Sequence, residues 1–227
     1  MDTLKSALQA VRTRIAAAAQ AAGRSPNTVE LLAVSKTLGA DALRAAAAAG
    51  QLAFGESYVQ EALAKIAALA DLSLTWHFIG PLQRNKARAV AEHFDWVHSV
   101  DRAIIAQRLN DARTLTQPPL NVCVQVNVSG ETSKSGVAPA DLLALVQAVA
   151  QLPRLRLRGL MAIPAPNANP DRQRAQFRLL RQLRDGLDIP LDTLSMGMSD
   201  DLEAAIAEGA TLVRVGSAIF GRRPIKT

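Results

Sequence analysis

The chain has 227 residues, 49% of them hydrophobic and 20% charged, with a formal net charge of +6; this packed globular composition excludes a disordered or collagen-like chain. At roughly 150 residues per domain, the length admits one large domain or two small ones. A single cysteine, Cys123, excludes an intramolecular disulfide framework and a multi-thiolate zinc site, and His77, His93 and His98 lack the close spacing of a helical metal site, so no metal is expected.

In chain order, DTLKSALQAVRTRIAAAAQAAG reads as a leading helix, without the continuous apolar stretch and cleavage site of a signal peptide. No run approaches the roughly 18 apolar residues of a membrane span. A cytoplasmic protein with no membrane partner is expected. Short apolar runs then alternate with segments of helical period. VELLAVSK (29–36) precedes a helix over 40–49, LAFGES (52–57) one over 59–69, TWHFIG (75–80) one over 86–93, and WVHSV (96–100) one over 102–113. NVCVQVNVS (121–129) precedes 140–151, LRLRGLMAI (155–163) precedes 172–185, and LDTLSM (191–196) with TLVRVGSAIF (211–220) flanks 200–208.

Eight strand-then-helix alternations after a leading helix predict an α/β fold, a single (β/α)8 TIM barrel over residues 1–227 with an extra N-terminal helix. The rival is a doubly wound open sheet, but no GxGxxG follows the first strand. Arg154, Arg156 and Arg158 alternate, which predicts the solvent-facing row of one strand rather than a nucleic-acid patch.

Barrel chemistry sits at the carboxyl ends of the strands. Lys36 follows the apolar end of strand one; it is either a desolvated amine, its pKa lowered toward that of a nucleophile for a carbonyl, or a lysine snorkelling to solvent. Ser195-Met196-Gly197-Met198-Ser199 ends strand seven, and Gly216-Ser217 ends strand eight. Loops of this kind suit a phosphate, although Ser199 with Glu203 or Asp200 would also serve as an ordinary helix cap. Arg214 lies among apolar strand residues and needs an acceptor, either a ligand or a carboxylate such as Glu56. A lysine opposite a phosphate cradle describes a cavity for a phosphorylated aromatic aldehyde, with pyridoxal 5'-phosphate (PLP) the evident candidate.

At these residues the sequence resembles the YggS/PROSC-type pyridoxal phosphate homeostasis proteins, whose barrel is similar to the amino-terminal domain of alanine racemase. The resemblance covers nearly the whole chain and rests on LLAVSKT around Lys36, FGESYVQEA (54–62), WHFIGPLQRNK (76–86), NVSGETSKSG (127–136), RLRGLMAI (156–163), LSMGMSDDLEAAI (194–206) and VRVGSAIFG (213–221). It implies that Lys36 forms a Schiff base with PLP and that Ser195, Gly197, Met198, Ser199, Gly216 and Ser217 surround the phosphate. It also implies that Arg214 faces the pyridine nitrogen and that Met161 lies near the ring. The family's usual Gly-Glu-Asn reads Gly55-Glu56-Ser57 here, so Ser57 is expected to reach the cofactor through water.

Two-base racemisation needs a second acid/base beyond the cofactor, which in alanine racemase a tyrosine from an additional domain supplies. This chain runs to Thr227, just after strand eight, and its one tyrosine, Tyr58, is expected in the first turn of a helix. The resemblance therefore implies a monomeric cofactor carrier in PLP homeostasis and amino-acid balance, without established catalysis, whose acceptors would be PLP-dependent apoenzymes. The alternatives are a PLP-dependent amino-acid racemase and a cofactor-free Schiff-base aldolase.

Overall fold

A computed structural model of the chain describes residues 2–131, 134–165 and 169–221. Helix α1 (Asp2–Ala21) leads into β1 (Glu30–Val34), α2 (Ala40–Ala48), β2 (Ala53–Glu56), α3 (Val59–Ala68), β3 (Thr75–Phe78), α4 (Ala87–His93), β4 (Trp96–Val100) and α5 (Ala103–Ala112). The second half continues with β5 (Leu120–Gln125), α6 (Leu142–Ala150), β6 (Leu155–Met161), α7 (Pro170–Asp185), β7 (Thr193–Ser195), α8 (Leu202–Ala207), β8 (Leu212–Val215) and α9 (Ser217–Phe220). The strands are parallel and pair in sequence order, and β8 closes on β1 from Glu30↔Leu212 to Ala33↔Val215. That closure makes the expected (β/α)8 barrel and excludes the open sheet.

Parallel strands between helices are buried on both faces, which is why they read as apolar runs. Their outer faces meet the helices through fully buried side chains such as Phe54, Phe78, Leu109, Phe177 and Leu180. Each such residue stabilises the fold by roughly 1.5–3 kcal/mol. The small separate cluster of Leu32, Ala53 and Leu212 faces the barrel interior. Helix α1 buries Leu8, Val11, Ile15 and Ala19, one stripe at helical spacing, and packs on α8 and α9.

Three local expectations are corrected by the structure. The run 211–220 is not one strand: β8 stops at Val215, and after Gly216 the chain turns into α9. Helix α7 starts at Pro170 rather than Arg172, because Asn169 caps it, accepting from the N–H groups of Asp171 (2.9 Å) and Arg172 (3.2 Å). The segment expected as a loop, 164–171, lies partly outside the described residues. The arginine row is not a solvent-facing face either, since of the three only Arg156 is exposed and Arg154 and Arg158 are half-buried. Arg154 Nη1 donates to Arg113 O at 3.2 Å, while Arg158 stacks 4.8 Å over Trp96 and pairs with Asp192 at 2.8 Å. Arg158 with Trp96 and Asp192 closes the amino end of the barrel, while Arg154 ties the start of β6 to the end of α5.

Glu208, 2% exposed, receives Arg174 at 2.8 Å, Arg178 at 3.0 Å and Arg181 at 3.5 Å. Burial opposes its charge, but the hydrogen bonds from Arg178 and Arg174 win and hold its carboxyl below the ordinary value. A depressed folded-state pKa gives stability that is present above the unfolded value, about 4.3, and is lost as pH falls through the folded one. In denaturant melts between neutral pH and pH about 3, the wild type should lose about 1 kcal/mol more than Glu208→Gln.

Candidate functional site

The carboxyl ends of the strands enclose a cavity of about 520 Å³, within the range of small-molecule sites. Lys36 and Ser57 reach it from the turns after β1 and β2; Met198, Ser199 and Asp200 line it from the turn after β7, and Arg214, Gly216 and Ser217 from β8 and α9. Val34, Ile79 and Ile163 supply apolar wall. Seven of the ten residues singled out in the sequence thus meet at one surface: Lys36, Ser57, Met198, Ser199, Arg214, Gly216 and Ser217.

Strand period explains how Lys36 arrives there. Side chains two residues apart share a strand face, so Val34 and Lys36 continue the inward row begun by Leu32. Strand β1 ends at Val34, and Thr37 adopts φ +68°. Lys36 is therefore half-buried at the rim of the mouth, outside the hydrogen-bonded ladder.

The two loops expected to hold a phosphate do adjoin. The N–H of Ala218, in the first turn of α9, lies 3.4 Å from Ser199 Oγ. Arg14 of α1 donates to Ser199 O at 2.9 Å and pairs with Glu203 at 2.7 Å, so the leading helix braces this corner. Ser199 does not cap α8: Asp201 occupies the cap position, and its carboxylate turns back to accept the Met198 N–H. The hydroxyls of Ser199 and Ser217 and the leading N–H groups of α9 form a polar corner suited to an anion.

Three expected residues stand behind the cavity instead of lining it. Met161 and Ser195 are register partners one interior layer deeper, both fully buried. Ile163, two residues beyond Met161, takes the wall position. Gly197 has φ +94°, and a Cβ there would lie 2.6 Å from Ala205 Cβ; its glycine serves the turn onto α8 rather than close approach of a ligand.

Arg214 is 3% exposed yet reaches the cavity floor. Its acceptors are Ser195 Oγ at 2.6 Å and Ala162 O at 2.8 Å, not Glu56, which lies on the outer face of β2 against Ser35 and Lys65. Behind it runs a buried column: Ser195 Oγ is 2.8 Å from His98 Nδ1, and His98 Nε2 is 2.9 Å from His77 Nδ1. A guanidinium can only donate, so Ser195 accepts from Arg214, and the direction of the two bonds beyond it is set by the imidazole tautomers. Burial pushes His77 down to about 3 and His98 well below its ordinary value, so both imidazoles are neutral at pH 7. Burial also lowers Arg214 to about 10, leaving it charged. The floor of the cavity is thus a fixed cation backed by neutral, hydrogen-bonded groups.

Sequence patterning does not single out Ile79, Ile163 and Val34 as walls, although each lies two residues from a recognised interior position. Gln83 and Asn85 are exposed on the turn after β3, His77 lies in the interior column, and neither they nor Lys86 line the cavity. Cys123 is buried and its thiol pushed up to about 12, so it stays protonated. Among the described residues there is no metal-binding cluster and no helix long and apolar enough to cross a membrane.

The donor set fits pyridoxal 5'-phosphate: an amine at one rim, hydroxyls and turn amides at the other, apolar walls for a ring and a cation beneath. The family model of the alanine racemase N-terminal domain matches residues 6–224. The pyridoxal phosphate homeostasis protein of Pseudomonas aeruginosa is 65% identical over 223 residues, covering 98% of this chain and 97% of its own length. That of Escherichia coli K12 is 56% identical, covering 98% of each. The structure of PipY from Synechococcus elongatus, with PLP bound, superposes with a TM-score of 0.85 at 41% identity, covering 96% of this chain and all of that one. Alanine racemase from Corynebacterium glutamicum shares the fold, with a TM-score of 0.68 at 20% identity, and this chain spans 62% of it. With a family match over almost its whole length and relatives of this closeness, the chain belongs to the pyridoxal phosphate homeostasis proteins, a family built on the alanine racemase N-terminal barrel.

Proposed function

We propose that this barrel, as one unit, binds pyridoxal 5'-phosphate in the mouth cavity, attached through Lys36, and serves PLP homeostasis and amino-acid balance in the cytoplasm as a carrier rather than a catalyst. The observation that carries the reading is the convergence of Lys36, Arg214, Ser199 and Ser217 on one cavity of about 520 Å³. When bound, the cofactor supplies an aldehyde carbon, to which Lys36 Nζ adds with loss of water; hydrolysis of the same bond frees it. Ser199, Ser217, Gly216 and the amides of the α9 turn hold the phosphate, and Ser57 and Met198 complete its surroundings. Arg214 faces the pyridine nitrogen, and its permanent charge disfavours a proton there, which weakens the ring as an electron sink. Ser195, Met161 and Gly197 act from behind, through Arg214, the interior packing and the turn onto α8.

A carrier reading also suits the chemistry of the walls. Among the described lining residues, the ionisable side chains are Lys36, Asp200 and Arg214, whereas two-base racemisation requires a second base placed across from the lysine. PLP-dependent apoenzymes are the fitting acceptors, and the barrel is proposed to act as a monomer. The test loads the protein with PLP, removes free cofactor and adds a PLP-dependent apoenzyme. Activity should appear faster than from the same amount of free PLP. Amino-acid racemisation by the loaded protein at about 1 per second or faster would replace the carrier with an enzyme.

A further inference from the structure

Lys36 is presented by a turn whose flanking residues are both tied to one ion cluster. The sequence pair Glu61 and Lys65 has the spacing of an exposed helical salt bridge, yet the Lys65 side chain is 5% exposed. Its Nζ donates to Ser35 O at 2.8 Å, Glu56 Oε1 at 2.7 Å and Glu61 Oε1 at 2.5 Å, using all three donors. Glu56 Oε1 also accepts the Ser35 hydroxyl at 2.6 Å, and Glu61 Oε1 accepts the Thr37 N–H. The residue before Lys36 is therefore held at its hydroxyl and its carbonyl, and the residue after it at its amide. Thr37 is the one non-glycine residue with positive φ among the described residues, a conformation that side chains other than glycine usually avoid.

None of the three charged residues lines the cavity; their contacts with the turn are with residues 35 and 37, on either side of Lys36. Buried ion pairs are weak sources of stability compared with apolar packing, and register is their best-attested use. We propose that Glu56, Glu61 and Lys65 are positioning residues for Lys36, fixing the turn that aims its amine and thereby setting how fast it captures an aldehyde. The inference rests on the attachment of PLP through Lys36 proposed above.

Stopped-flow absorbance of PLP separates the possibilities. Glu61 is 29% exposed, so Glu61→Ala removes the Thr37 anchor without opening a core cavity. Its first-order capture step should slow by about 10-fold or more, because small misplacement of a reacting group is costly in rate. Its affinity for pyridoxine 5'-phosphate, which has no aldehyde, and its melting temperature should stay near wild type. Glu61→Gln keeps an oxygen acceptor and should return capture to within about threefold of wild type. Lys65→Met, close in volume, should slow capture as well; if it does not fold, Glu61→Ala decides alone. Capture at the wild-type rate in Glu61→Ala overturns the inference. A wild type that captures no PLP, or a Lys36→Ala variant that captures it normally, overturns the attachment itself and is read in separate samples.

Discussion

Lys36→Ala should fold as well as the wild type and hold PLP only noncovalently. The side chain is half-buried at the mouth and is no part of the hydrophobic core, so its removal leaves no interior void, and melting should shift by no more than a few degrees. What disappears is the covalent bond, and with it the visible absorbance of attached PLP. Arg214, Ser199 and Ser217 remain, so weak binding persists, with affinity reduced by about 100-fold or more, equivalent to roughly 2.7 kcal/mol. Lys86→Ala is the matched control: that lysine sits on the turn after β3, away from the cavity lining, and its loss should leave attachment intact. Spectral titration of the three proteins checks the prediction.

Gly159→Ala should fail to give a stable barrel. Gly159 pairs with Thr193 of β7, and a Cβ on it would lie 1.8 Å from Thr193 O and 2.6 Å from Thr193 C. Those are backbone atoms in a hydrogen-bonded ladder, so they cannot swing aside as a side-chain tip would. Relief requires β7 to move, carrying Ser195 and the turn that holds Met198 and Ser199. A loss above about 4 kcal/mol is expected, enough to consume much of a typical domain's stability of 5–15 kcal/mol. Circular-dichroism melts and soluble yield measure it; a variant melting within a few degrees of wild type would contradict the close approach of the two strands.

The barrel was legible because its signal is local. Each strand, buried on both faces, appears as an apolar run, and each helix follows as an alanine- or leucine-rich segment, so order and number predict closure without any long-range contact being visible. Residues just past the strands, Lys36, Ser57, Ser199 and Ser217, were legible for the same reason. Depth was not. Period-2 alternation places Met161 and Ile163 on one face, but which of them meets the mouth depends on strand stagger, and the stagger includes irregularities between Val97 and Val100 and between Val122 and Cys123. Ser195 likewise lies one layer below the cavity lining.

Two further features depend on residues that no sequence pattern links. The column from Arg214 through Ser195 and His98 to His77 joins strands β8, β7, β4 and β3, and each member in isolation resembles an ordinary buried polar residue. Lys65 shows the opposite effect, since its spacing from Glu61 suggests solvent while α3 packs it against the ends of β1 and β2. Asn169-Pro170 was a readable helix start, a cap residue followed by proline, hidden inside a stretch whose composition suggested a loop.

The chain contains six lysines, and the proposed carrier role stands on one of them. Wild-type protein loaded with PLP, treated with a hydride reductant to make the attachment permanent and digested, should yield a phosphopyridoxylated peptide carrying the label on Lys36 at near one equivalent per chain. Label spread over the other lysines, or absent from Lys36, would contradict the account.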